Sequence, residues 1–149
     1  MSIVASLPSD SEFLKVFVHE LGHVVDLHFL VKKLFASDPS EAFYTLSWVD
    51  YDQKKKGMSI NDFVSGYALT NKYEDFAESF AFYVFHNDEF KRRAIKNATL
   101  VQKYNFLATE VFANGEFQGT SFEDGVIPTY LWDTTKIPVK TNKYLFYLR

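Results

Sequence analysis

Ser9-Asp10-Ser11-Glu12-Phe13-Leu14-Lys15-Val16-Phe17-Val18-His19-Glu20-Leu21-Gly22-His23-Val24-Val25-Asp26 reads as one helix with two working faces. Ser9, with Glu12 three residues on, makes a capping box that satisfies the free amides of a helix start reciprocally. Leu14, Val18, Leu21 and Val25 follow at i, i+4, i+7 and i+11, and the spacing predicts a helix from about residue 10 to about 35. His19, Glu20 and His23 form H-E-x-x-H. Helical positions four apart differ by about 40° in azimuth and one turn in height, so both imidazoles point the same way and can share one ion. With Val18 as zero, Leu14, Leu21 and Val25 cluster within about 60° to one side, and His19, His23 and Asp26 lie about 80–140° to the other. The first face is expected in the core and the second at a cleft. Gly22 lies between them and leaves room for a second helix. Glu20, about 100° around from His19, can reach a water on the ion. Asp26 could accept the other N–H of a ligand histidine and fix its tautomer.

The chain around this helix has 149 residues, 47% hydrophobic and 23% charged, which suits one folded domain over residues 1–149. Aromatic residues make up 18%, enough large rings to close a core. The net charge is −3, and the short runs Lys54-Lys55-Lys56 and Lys91-Arg92-Arg93 do not point to nucleic acid. No apolar run reaches the roughly 18 residues that span a bilayer. No secretory signal pattern opens the chain, which is compatible with a mature piece of a longer protein. Cysteine is absent, so a metal must be held by His, Asp or Glu.

Further along, Asp38-Pro39 opens a second helical stretch that ends near Gly57, with a poorly patterned second half that also reads as loop. Ser59 to Ala68 reads as a short helix or turn. Asn71 starts a helix through about Phe85, and Asp88 and Thr99 are expected to cap later helices, the last ending at Asn114-Gly115. Beyond Gly115, Val126-Ile127 and Tyr144-Leu145-Phe146-Tyr147 suggest one or two short strands in irregular chain. The fold class expected is mainly α, or α+β if those C-terminal strands form.

Zinc prefers four ligands, and a catalytic site takes three from protein and keeps one position open. No His stands six residues after His23, where Phe29 is found. His28 and His86 read as surface or core residues. The third ligand is therefore sought among carboxylates on a second helix. Glu74 and Glu78 lie one turn apart at the start of the helix that Asn71 opens. Glu74 could ligate the metal while Glu78 braces a ligand histidine. Glu74 also fits a capping role three residues after Asn71, and both readings stay open on spacing alone. A Tyr such as Tyr67, seven residues before Glu74, can donate its O–H to an oxyanion at the rim of a zinc site.

Together, His19 to Asp26 and Tyr67-Ala68-Leu69-Thr70-Asn71-Lys72-Tyr73-Glu74-Asp75-Phe76-Ala77-Glu78-Ser79-Phe80 resemble the catalytic domain of anthrax lethal factor and the related clostridial Pro-Pro endopeptidases. Those enzymes show H-E-F/L-G-H-x-x-D and then Y-A-x-x-N/T-x-x-E-x-F-A-E-x-F. The resemblance implies a zincin-like helical core with His19, His23 and Glu74 as ligands. It implies Glu20 as base, Tyr67 as oxyanion donor, Glu78 near the metal and Asp26 as the acid after the second His. Such enzymes carry an α/β portion ahead of the metal helix, whereas 18 residues precede His19 here.

The reading that follows is a Zn2+-dependent endopeptidase acting on a protein or peptide, with a leaning towards the secreted class. The alternative is a zinc-binding interaction domain without catalysis. A helical interaction domain without metal is a third possibility.

Overall fold

The computed structural model describes residues 9–30 and 38–149, and it is mainly α. Helix α1 spans Asp10–Val24 and runs on as a π-helical turn, Val25–Leu30. The Ser9–Glu12 capping box forms in both directions. The expected extension to residue 35 falls outside the described residues. Helix α2 spans Pro39–Ser47, with Asp38 accepting from the amide of Ser40. Single 3-10 turns follow at Ile60–Asp62 and Tyr67–Leu69. Helix α3, Lys72–Phe85, starts where Asn71 accepts from the amides of Tyr73 and Glu74. Helix α4 spans Asn87–Ala94, and α5, Ala98–Phe106, continues as a π-helical turn, Leu107–Val111. Their starts fall at His86 and Asn97 and not at Asp88 and Thr99; the Asn97 side chain takes the amide of Leu100.

The expected C-terminal strands do not form. Tyr144-Leu145-Phe146-Tyr147 belongs to helix α6, Thr141–Tyr147, and Val126-Ile127 is irregular chain. The only β pairings among the described residues are two isolated bridges, Trp48 with Lys54 and Glu123 with Val139. The reason is tertiary: one turn of helix sets Tyr144 against Phe85 and Phe122, with ring centroids 5.0 and 5.4 Å apart. Packing outweighs the local strand preference of aromatic residues.

Helix α3 is the centre of the molecule. Every residue from Asp75 to Phe85 is buried. Helix α1 crosses it at Gly22, where an added Cβ would stand 3.0 Å from the Ala77 Cα and 3.2 Å from the Phe80 Cβ. The glycine is therefore needed for close approach, as its place between the two stripes suggests. We expect Gly22→Leu to force α1 away from α3 and to lower stability by about 1–3 kcal/mol, the range for overfilling a packed contact. Urea unfolding measures this, and an unchanged midpoint would contradict it.

The buried face of α1 keeps Val18, with Leu14 and Val25 packed against the core, but it is shifted toward the histidines relative to the expected one. Lys15, Val18, His19 and Gly22 are buried, and Asp26 continues that face in the π-helical turn. Leu21, expected in the core, is 37% exposed, and Phe13, Phe17 and Val24 are exposed beside it. The face carrying the histidines is thus the one that packs on α3.

Candidate metal centre

Helices α1 and α3 bring three ligand-type side chains to one point. His19 Nε2 and His23 Nε2 lie 3.2 and 3.3 Å from Glu74 Oε2. One ligand atom from each residue fits within 4.8 Å of the other two. Zinc bonds of about 2.0–2.2 Å in a tetrahedron put neighbouring ligand atoms about 3.3–3.6 Å apart, so this spacing suits such an ion. Two imidazoles and a carboxylate, without thiolate, are also a donor set that zinc accepts. His23 and Glu74 keep 22% and 18% of their side-chain surface, so the point is reached from solvent.

Glu74 presents different atoms to the cap and to the histidines. Its backbone amide is capped by Asn71, and its carboxylate faces the histidines. The choice between cap and ligand candidate dissolves because cap and carboxylate need not compete.

Behind the histidines lies a fully buried carboxylate. Glu78 Oε1 is 2.9 Å from His19 Nδ1, close in distance but off the line of a well-formed hydrogen bond. Ser65 Oγ donates to Glu78 Oε2 at 2.5 Å, and Thr134 donates to both oxygens, its amide to Oε2 and its hydroxyl to Oε1, each at 2.9 Å. Burial disfavours the His19 imidazolium, but Glu78, Glu74 and Glu20 together outweigh it and lift its pKa above the ordinary histidine value. Three donors hold the buried carboxylate in place beside the His19 ring.

Asp26 is placed differently from its expected role. It is fully buried and takes the Tyr44 hydroxyl at 2.5 Å on Oδ2; its Oδ1 has no partner among the described residues. Burial raises its pKa, and the neighbouring Ser40 and Tyr44 hydroxyls oppose this only in part. The Tyr44 phenol is pushed far up in turn by burial and by that bond. Asp26 thus holds α1 to α2 and makes no hydrogen bond to a histidine.

Tyr67, in its 3-10 turn, is half-buried beside the site, its ring centroid 6.0 Å from that of His19. Burial and the Glu74 charge raise its pKa, so its O–H stays a donor at neutral pH. Glu20, next in the chain to His19, is exposed. Of the remaining histidines, His28 is exposed, and His86 is buried with Nδ1 3.1 Å from Glu123 Oε2. Sequence spacing missed Ser65 and Thr134. Thr134 is 56 residues from Glu78 and arrives through irregular chain, so no periodicity announces it.

Two histidines one turn apart, facing a carboxylate on a crossing helix, define a zinc-metallopeptidase class of site. The chain belongs to the family described as "Putative zinc-binding metallo-peptidase", whose model matches residues 5–121. That family is zinc-binding, and the match supports peptidase-type hydrolysis of protein. No curated protein and no solved structure matches the chain. No helix among the described residues is long and apolar enough to cross a membrane.

Proposed function

We propose that this protein is a zinc-dependent endopeptidase in which His19, His23 and Glu74 hold the metal and Glu20 is the general base. The observation that carries the reading is the meeting of three ligand-type atoms within 4.8 Å beside an exposed Glu20. Bound there, zinc supplies Lewis acidity toward a carbonyl and toward water. Glu20 takes the proton of the attacking water and passes it to the leaving amine. Tyr67 donates its hydroxyl to the oxyanion that develops on the scissile carbonyl. Glu78 orients His19. The fully buried Asp26, held by the Tyr44 hydroxyl, braces the α1 end that carries His23. The two blocks 19–26 and 67–80 also support the finer kinship with the lethal factor and Pro-Pro endopeptidase group.

The test is elemental analysis of the purified protein together with peptide cleavage, with and without chelator. One zinc per chain and chelator-sensitive cleavage are expected. Zinc without cleavage of any peptide would favour the interaction-domain reading, to which the exposed apolar row Phe13, Phe17, Val24 and Leu27 lends support.

Thr134 provides an independent check on Glu78. Thr134→Val removes the hydroxyl bond to Oε1 and leaves the amide bond to Oε2. Loss of such an outer partner typically costs about 10–100-fold in metal affinity or activity. Zinc competition titration should show a loss in that range. Unchanged affinity would remove Glu78 from the metal site.

A further inference from the structure

The segment Tyr130–Thr134 runs along the rim of the metal centre and lies beyond the residues that the family model covers. It is pinned at several points. Arg93 donates to the Pro128 carbonyl at 2.9 Å, and the Gly66 and Tyr67 amides donate to the carbonyls of Leu131 and Trp132 at 2.8 and 2.6 Å. Asp133 caps the next turn, and Thr134 ends on Glu78. On this pinned segment the Trp132 side chain is 58% exposed. A lone exposed aromatic is ordinary on a protein surface. The placement of Trp132 is not ordinary, because its ring lies 6.2 Å from the Tyr67 ring, itself 6.0 Å from that of His19.

Gly66 shows that this placement is built. Its backbone is right-handed helical, at φ −67° and ψ −33°, so its conformation needs no glycine. An added Cβ, however, would stand 2.6 Å from Trp132 Cε3 and 2.7 Å from the Tyr130 hydroxyl. The bare backbone there seats both rings.

We propose that Trp132, with Tyr130 beside it, forms the wall of a substrate subsite and selects peptides with a bulky apolar side chain within a few residues of the scissile bond. The inference rests on the peptidase reading above. Two ring-to-ring steps of about 6 Å match roughly three to four residues of extended peptide, at about 3.3 Å each. A pinned wall loses little freedom on binding, so the contact counts toward selectivity.

The zinc-loaded protein is assayed on an octapeptide library varied in Ala, Phe, Leu, Asp and Lys. Binding to the zinc-loaded Glu20→Gln variant is followed by tryptophan emission. The chain has two tryptophans, and Trp48 is buried against Asp75, so a change in emission reports Trp132. Phe- and Leu-bearing peptides should be cleaved about 10–100-fold better than their Ala counterparts, the scale expected for burying a large apolar side chain. Trp132→Ala should erase that preference with zinc content unchanged, and Gly66→Ala should weaken it by displacing the ring. Cleavage whose preference survives Trp132→Ala would overturn the subsite and leave the peptidase reading standing. An emission response selective for Phe peptides, without cleavage by the unmodified protein, would support the subsite and overturn the peptidase reading. Neither cleavage nor response would overturn both.

Discussion

Glu20→Gln should lower peptide hydrolysis by about 10²–10⁴-fold, the usual contribution of a positioned general base, while zinc stays bound at one per chain. The substitution keeps shape and removes only the basic oxygen. Glu20 is exposed and makes no hydrogen bond among the described residues, so stability should move by no more than about 0.5 kcal/mol. The three candidate ligands are other residues, so metal content should hold. His23→Ala is the contrasting variant, because it removes a ligand-type atom and should cost both zinc and activity. Rate measurement with zinc analysis on the same samples separates the two. Residual activity within a few-fold of the unmodified protein would sink the assignment of Glu20.

The parts of this site that were legible in the sequence are those written in helical geometry. The capping box fixed where α1 starts, and the four-residue interval put His19 and His23 on one side. Asn71 marked the start of α3 for the same reason, since a cap acts within three residues. What was not legible is contact between distant segments. Ser65 and Thr134 reach Glu78 across 13 and 56 residues. The burial of the polar stripe of α1 was hidden on the same ground. An apolar stripe says which face favours the core, but α3 approaches at Gly22 and covers the polar stripe, whose charges find partners there. The C-terminal helix was hidden because tyrosine and phenylalanine favour strands locally, and only Phe85 and Phe122 show where Tyr144 belongs.

Lys103→Met should destabilise the protein by about 3–5 kcal/mol, the cost of leaving one partner of a buried ion pair alone. Lys103 and Asp75 are both fully buried, with Nζ 2.8 Å from Asp75 Oδ2. The ammonium also donates to the Asp62 carbonyl at 3.0 Å and lies 4.0 Å over the Phe63 ring. Asp75 further accepts from the Trp48 indole at 2.9 Å. The pair thus ties α5, α3 and the loop before the Tyr67 turn into one network directly behind Glu74. Burial holds the Asp75 carboxyl above the ordinary carboxylate range, and Lys103 offsets this only in part. Without Lys103 the carboxyl rises further. A carboxyl whose folded pKa is raised destabilises the fold above that pKa, and protonation relieves the cost as pH falls through it. The deficit of Lys103→Met should therefore be larger at pH 8 than at pH 5, and adding Asp75→Asn should recover much of it, since an amide oxygen still serves Trp48. Urea unfolding at both pH values measures all three variants. A deficit that is the same at both pH values and unrelieved by Asp75→Asn would mean that the loss comes from packing of the lysine stem and not from the stranded charge.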